Sequence, residues 1–254
     1  MSPFAISLIS FGCIFGGTLL GFYLGHRLPA DHIGADSKDT VKTAWGMIAT
    51  MSALVLSLLV ASAKGSFDNV SAQNTQAAAK IIMLDRLLVR YGPQADAVRV
   101  ELRRVVSSEI DSDWKNQGAS LVSPADMEKA NGMEEIEDEL NALSPANDAQ
   151  RGLLSQARQI SDDLFQGRVL VVEQAHIVLP PVLQVALVTW LTVLFVGISL
   201  FAPRNKTVVV TLLLCCGSLS FAIFLINDLS HPLHGIITIS SAPLREALHY
   251  LARP

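Results

Sequence analysis

Four segments of this chain are each about 20 residues long, apolar, and free of charge at their centres: Phe4 to Gly25, Val41 to Ala63, Leu179 to Ala202 and Thr207 to Ile226. A helix rising 1.5 Å per residue needs roughly 20 apolar residues to cross a bilayer core of about 30 Å. In hydrocarbon every backbone N–H and C=O must be satisfied within its own segment, so such runs become helices. The sequence therefore predicts an all-α integral membrane protein with four transmembrane helices. The first span is not a cleavable leader on this reading. No Lys or Arg precedes it, and its end reads GFYLGHR where a cleavage site wants small residues.

Composition agrees with the spans. Half of the 254 residues are hydrophobic and 17% are charged, against about 25% charged in ordinary soluble domains. The mean hydropathy is +0.41. A net charge of -4 and 6% aromatics, with no basic stripe, argue against nucleic acid as a partner. The partner implied is the lipid bilayer. Cys13, Cys215 and Cys216 all sit inside apolar runs and read as small buried side chains rather than as disulfide partners.

The chain divides into residues 1–63 with spans one and two, an extramembrane helical domain at 64–178, spans three and four at 179–226, and a tail at 227–254 with a short amphipathic helix. The middle segment holds 12 Lys plus Arg and 18 Asp plus Glu, a balance of -6, so it belongs in water. From Ser66 to Tyr91 it has neither Pro nor Gly, and it follows the second span through Gly65 alone. One helix is expected to run through both. Gly92-Pro93 should break it. The next helix places Val98, Leu102 and Val105 on one face and should run to about Lys115. Ser123-Pro124 and Ser144-Pro145 each read as an N-cap with Pro at the first helical position. The last domain helix, with Leu153, Ala157, Ile160, Leu164 and Val171 on one stripe, is expected to feed into the third span.

Four stretches carry a family likeness: DSKDTVK at 36–42, MSALVLSLLVASAKGSFD at 51–68, LDRLLVRYGP at 84–93 and HPLHGIITISSAPLREAL at 231–248. Together they resemble the bacterial bestrophin-like membrane proteins, a domain family of unknown function. The resemblance spans nearly the whole chain. It implies kinship with bestrophins, which are oligomeric chloride channels whose helices continue from the membrane into the cytosol. It carries over no catalytic residue, and no bestrophin pore motif or calcium clasp is matched.

Candidate functional residues lie mainly in the second span. Thr43, Gly46, Thr50, Ala53, Ser57, Ala61 and Lys64 follow one another at steps of three or four and so share one helical face. All but the lysine are small. Such a face can pack a neighbouring helix closely in lipid, or it can line a pore with hydroxyls facing water. Gly17, Gly21 and Gly25 form a small-residue zipper for helix packing within a protomer or between protomers. Thr211, Cys215 and Ser218 make a milder stripe in the fourth span. Asn227 and Asp228 at its end are candidates for a pore-mouth ring in an oligomer.

Other clusters read more plainly. The run Glu134, Glu135, Glu137, Asp138, Glu139 lacks the alternation and glycine of an EF-hand and reads as a solvated helix face. His231 and His234 beside Asp228 have no cysteine support for a metal site. No metal, cofactor or enzymatic motif is expected, and uncharged span centres speak against a proton-coupled transporter.

Membrane orientation stays open. Arg27, Lys38, Lys42, Arg204 and Lys206 in the short loops would be cytoplasmic by the positive-inside rule, whereas the bestrophin likeness puts the large domain there. The functional expectation is an oligomeric ion channel or channel-like pore of a bacterial inner membrane, a homo-oligomer passing inorganic ions with one lining helix per protomer. The alternative is a non-conducting membrane protein whose helical domain binds a partner or senses a signal.

Overall fold

The computed structural model describes residues 3–27, 35–115, 124–175, 181–203, 205–230 and 235–252. Among these the chain is all helical. In order, the α-helices are α1 (Pro3–Arg27), α2 (Ala35–Tyr91), α3 (Asp96–Lys115), α4 (Pro124–Ala142), α5 (Asp148–Ala175), α6 (Pro181–Phe201), α7 (Lys206–Leu229) and α8 (Ala242–Leu251). Four of them, α1, the part of α2 from Val41, α6 and α7, are long and apolar enough to cross a membrane. The chain forms two compact units: Met1–Ser66 with Val178–Ser230, and Phe67–Ile177 with His231–Pro254.

In the first unit, α1 packs along α6 and α7. Ile14 of α1, Leu59 and Ala63 of α2, Leu187, Leu191 and Phe195 of α6, and Cys216 and Ile223 of α7 fill its core. Lipid is as apolar as these side chains, so close packing rather than water exclusion must hold the helices together. The glycine zipper does this between α1 and α6. A Cβ at Gly17 would lie 2.8 Å from Thr192 Cγ2, and one at Gly25 would lie 2.6 Å from the Leu200 carbonyl. At Gly21 it would strike the Ser199 hydroxyl and the Val196 carbonyl. The zipper is thus a contact within one protomer. The outward glycines Gly12 and Gly16 of α1 meet nothing within 4 Å.

Helix α2 is continuous from Ala35 to Tyr91, through Gly65. It ends where the sequence says it must. Gly92 takes φ of 115°, a conformation costly for side-chain-bearing residues, and Pro93 has no N–H to continue the ladder. Pro93–Ala95 then form a 3-10 turn into α3.

The second unit has a core of ordinary water-excluding kind. Leu84 and Leu88 of α2, Val98, Leu102 and Val106 of α3, Ile136 and Leu140 of α4, and Leu154 and Ala157 of α5 meet in it. Each fully buried Leu or Ile there contributes about 1.5–3 kcal/mol. Gly132 lets α4 close on α3, where a Cβ would lie 2.9 Å from Val105. Ion pairs bridge the helices at the rim: Asp85–Arg99 at 2.8 Å, Lys80–Asp163 at 3.0 Å and Glu109–Arg168 at 2.7 Å.

The tail's helix finds its place here, and one sequence expectation changes. Leu244, Ala247 and Leu251 of α8 are buried in the core of the second unit, while Arg245, Glu246 and His249 face out. Helix α5 does not start at Pro145. Residues 143–147 are irregular, and Asn147 caps the helix, its Oδ1 accepting from the Gln150 N–H at 2.8 Å. The Gln150 Oε1 in turn accepts from the Ala146 N–H at 2.8 Å, a reciprocal arrangement close to a capping box. The junction between α5 and α6, like Ser123, lies outside the described residues.

Candidate functional site

The second-span face can now be placed. Thr43, Gly46, Thr50, Ala53, Ser57, Ala61 and Lys64 are all exposed. The opposite side of the same helix is buried, with Ser52 at 2%, Leu59 at 2% and Ala63 at 1% exposure. The stripe thus faces away from the bundle, alongside Met47, Met51, Leu54 and Leu58, which are 66%, 53%, 67% and 62% exposed. A Cβ at Gly46 would meet nothing within 4 Å, so none of the described residues packs on the stripe at that point. Of the four spans, α2 is the least covered, 17% of its apolar window being buried against 28% for each of the others.

The hydroxyls on this face have a definite polarity. Thr43 Oγ1 donates to the Asp39 carbonyl and Thr50 Oγ1 to the Gly46 carbonyl, each at 2.9 Å. Both protons return to the helix's own backbone, so what each oxygen offers outward is a lone pair.

An aromatic anchor holds α2 in this orientation. The Trp45 indole sits directly over Gly197 of α6, where any Cβ would collide with it. Its ring also lies 5.5 Å from that of Phe201, tilted by 44°. Reading the sequence did not single out Trp45. The signal available was one large aromatic near a span end, with a glycine in another span, and nothing in one chain says that the two meet.

The other candidates separate. Asn227 and Asp228 are 4% and 2% exposed. Asn227 Nδ2 donates to the Ile223 carbonyl at 2.9 Å, and its Oδ1 accepts from Gln184 Nε2 at 3.1 Å. A pore-mouth ring asks for exposed polar heads. In this protomer the two are turned into the bundle, and Asn227 ties α7 to α6. Thr211, Cys215 and Ser218 are exposed, but among equally exposed Val210, Leu214 and Phe221. That face is apolar enough to meet lipid.

In the second unit, Arg104 bridges Glu101 and Glu135, at 2.5 Å and 2.6 Å. The Arg104 guanidinium, as hydrogen-bond donor and as charge, holds the Glu101 carboxyl below its ordinary range. Burial, followed by the charges of Glu101 and Glu135, pushes Glu139 above it. No group of three His, Cys, Asp or Glu placed to hold a metal occurs among the described residues. His231 and His234 lie outside them.

The comparison with protein families decides the affiliation: the Bestrophin-like domain model matches residues 12–244. The chain belongs to the bestrophin-like family. The match begins within α1 and takes in the other three apolar helices, the helical domain and the start of α8. No curated protein and no solved structure matches this bestrophin-like chain.

Proposed function

We propose that this bestrophin-like protein is an oligomeric ion channel or channel-like pore of a bacterial inner membrane, each protomer giving α2 as the lining helix. One observation carries the reading. The small, hydroxyl-bearing face of α2 from Thr43 to Lys64 is exposed, while Trp45, Leu59 and Ala63 hold the helix to the bundle. Four spans are too few to enclose a wide path in one chain. Copies arranged about an axis with these faces inward would leave room for hydrated ions and offer Thr43, Thr50 and Ser57 as hydroxyl oxygens along the path. Membership of a family named for its likeness to bestrophins supports the same reading. The proposal assigns the protein no catalytic step.

Planar-bilayer recording of purified protein tests it. Discrete currents are expected; silence with every ion, voltage and pH tried would contradict it. The second reading is a non-conducting membrane protein whose helical domain binds a partner. The cavity described below favours a binding role for that domain. Mass measurement in detergent separates the two, because a strict monomer cannot form the pore and leaves only the second.

A further inference from the structure

The helical domain carries a pocket, open to its surface, that the pore reading leaves unused. It has a volume of about 330 Å³ and lies under the α4–α5 connection, with Leu143, Pro145 and Leu154 as its apolar lining. Its polar wall is the face of α5 bearing Arg151, Arg158 and Asp162. Small-molecule sites run from roughly 300 to 1,000 Å³, so this one suits a compact ligand.

The charges on the wall are arranged unusually. Arg158 and Asp162 stand one turn apart on α5, a spacing at which Arg and Asp ordinarily pair across the helix surface. Here they do not. Arg151 pairs with Asp148 at 2.8 Å, Asp163 with Lys80 and Arg168 with Glu109. Arg158 sends Nη2 instead toward the Leu140 carbonyl, at 3.4 Å. Among the described residues Asp162 has no ion-pair partner. Arg158 and Asp162 thus line one cavity, their Cβ atoms about 5–6 Å apart, without forming an ion pair with each other. Capping the end of α4 explains Arg158, but it leaves Asp162 and the cavity without a role. A simple anion would meet Asp162 and a simple cation would meet two arginines. A molecule carrying both charges satisfies the wall.

We propose that this cavity binds a small zwitterion of the α-amino-acid type. Its carboxylate lies toward Arg158, its ammonium toward Asp162, and its side chain against Leu143, Pro145 and Leu154. Arg151, two turns before Arg158, adds positive potential at the carboxylate end. The inference does not depend on whether the protein conducts.

Titration calorimetry on the detergent-solubilised full chain, with each protein amino acid in turn, tests it. At least one should bind with Kd below about 1 mM. Its methyl ester, lacking the carboxylate, and its deamino acid, lacking the ammonium, should each bind at least about tenfold more weakly. Asp162→Asn, an exposed substitution, should weaken the amino acid about tenfold and leave the deamino acid unchanged. Arg158→Met should weaken both. No binding by any amino acid, an ester that binds as tightly as the acid, or affinity untouched by Asp162→Asn would each overturn the proposal.

Discussion

Gly21 of α1 lies so close to Ser199 of α6 that one methyl group on the glycine would strike the serine hydroxyl. Gly16 lies on the open side of the same helix, and a methyl group there would meet nothing within 4 Å. The pair makes a controlled comparison. Gly21→Ala should cost about 1–3 kcal/mol through overpacking. Gly16→Ala should be neutral or stabilise by up to about 1 kcal/mol, since alanine is the better helix former. Unfolding in detergent reads both; equal effects would show that α1 and α6 are not packed as described.

The Asp85–Arg99 pair, 11% and 15% exposed at 2.8 Å, links α2 to α3 in the domain. Asp85→Ala strands a largely buried guanidinium and should cost about 3 kcal/mol. Asp96, at 3.8 Å and 66% exposed, is a poor replacement partner. The double variant Asp85→Ala, Arg99→Ala should be more stable than Asp85→Ala alone. A double-mutant cycle with no coupling would remove the pair from the account.

Two glutamates should give opposite pH dependences. Glu139 is held above the ordinary carboxylate range, first by burial and then by Glu101 and Glu135. Its ionised form therefore opposes folding, and the penalty grows as pH rises through the folded pKa. Glu139→Gln should stabilise the domain at neutral pH and do nothing in strong acid. Glu101 is held low by Arg104. Its stabilisation is present at neutral pH and is lost as pH falls through the lowered pKa, so Glu101→Gln should destabilise at neutral pH and be silent in acid. Unfolding curves of both variants from pH 3 to 8 check the crossing trends.

Helix α8 should matter to the domain as much as any helix inside it. Leu251 is fully buried, so Leu251→Ala should cost about 2–5 kcal/mol. Neighbouring Tyr250 is 39% exposed, and Tyr250→Ala should cost well under that. Equal tolerance of both would mean that the tail does not dock.

The sequence made some of this legible and hid the rest for physical reasons. The spans could be read because hydrocarbon leaves an apolar run of that length little choice but helix. The end of α2 at Gly92-Pro93 could be read because only glycine adopts that φ readily and proline cannot donate. Pro145 misled because Ser-Pro is an equally good start for a helix or a bend. The reciprocal bonds of Asn147 and Gln150 decided the matter three residues later. The glycines announced a close contact without naming its partner, since small residues specify distance and not identity. Trp45 over Gly197 and the docking of α8 depend on residues more than a hundred positions away, and no local pattern records them. The exposed stripe on α2 was visible as a stripe. Only the structure showed that its residues are exposed.

The central claim is that this stripe faces a conduction path, and Ser57 tests it most directly. Cys13, Cys215 and Cys216 are first replaced. Ser57→Cys, Leu58→Cys and Leu59→Cys are then exposed one at a time to a small water-soluble thiol reagent during bilayer recording. Ser57 is exposed on the stripe, Leu58 lies about 100° around the helix, and Leu59 is buried in the bundle. The account predicts that the reagent reduces current through Ser57→Cys, acts more weakly on Leu58→Cys and leaves Leu59→Cys unchanged. Current through Ser57→Cys that does not respond, while Leu58→Cys or Leu59→Cys is blocked, would contradict it.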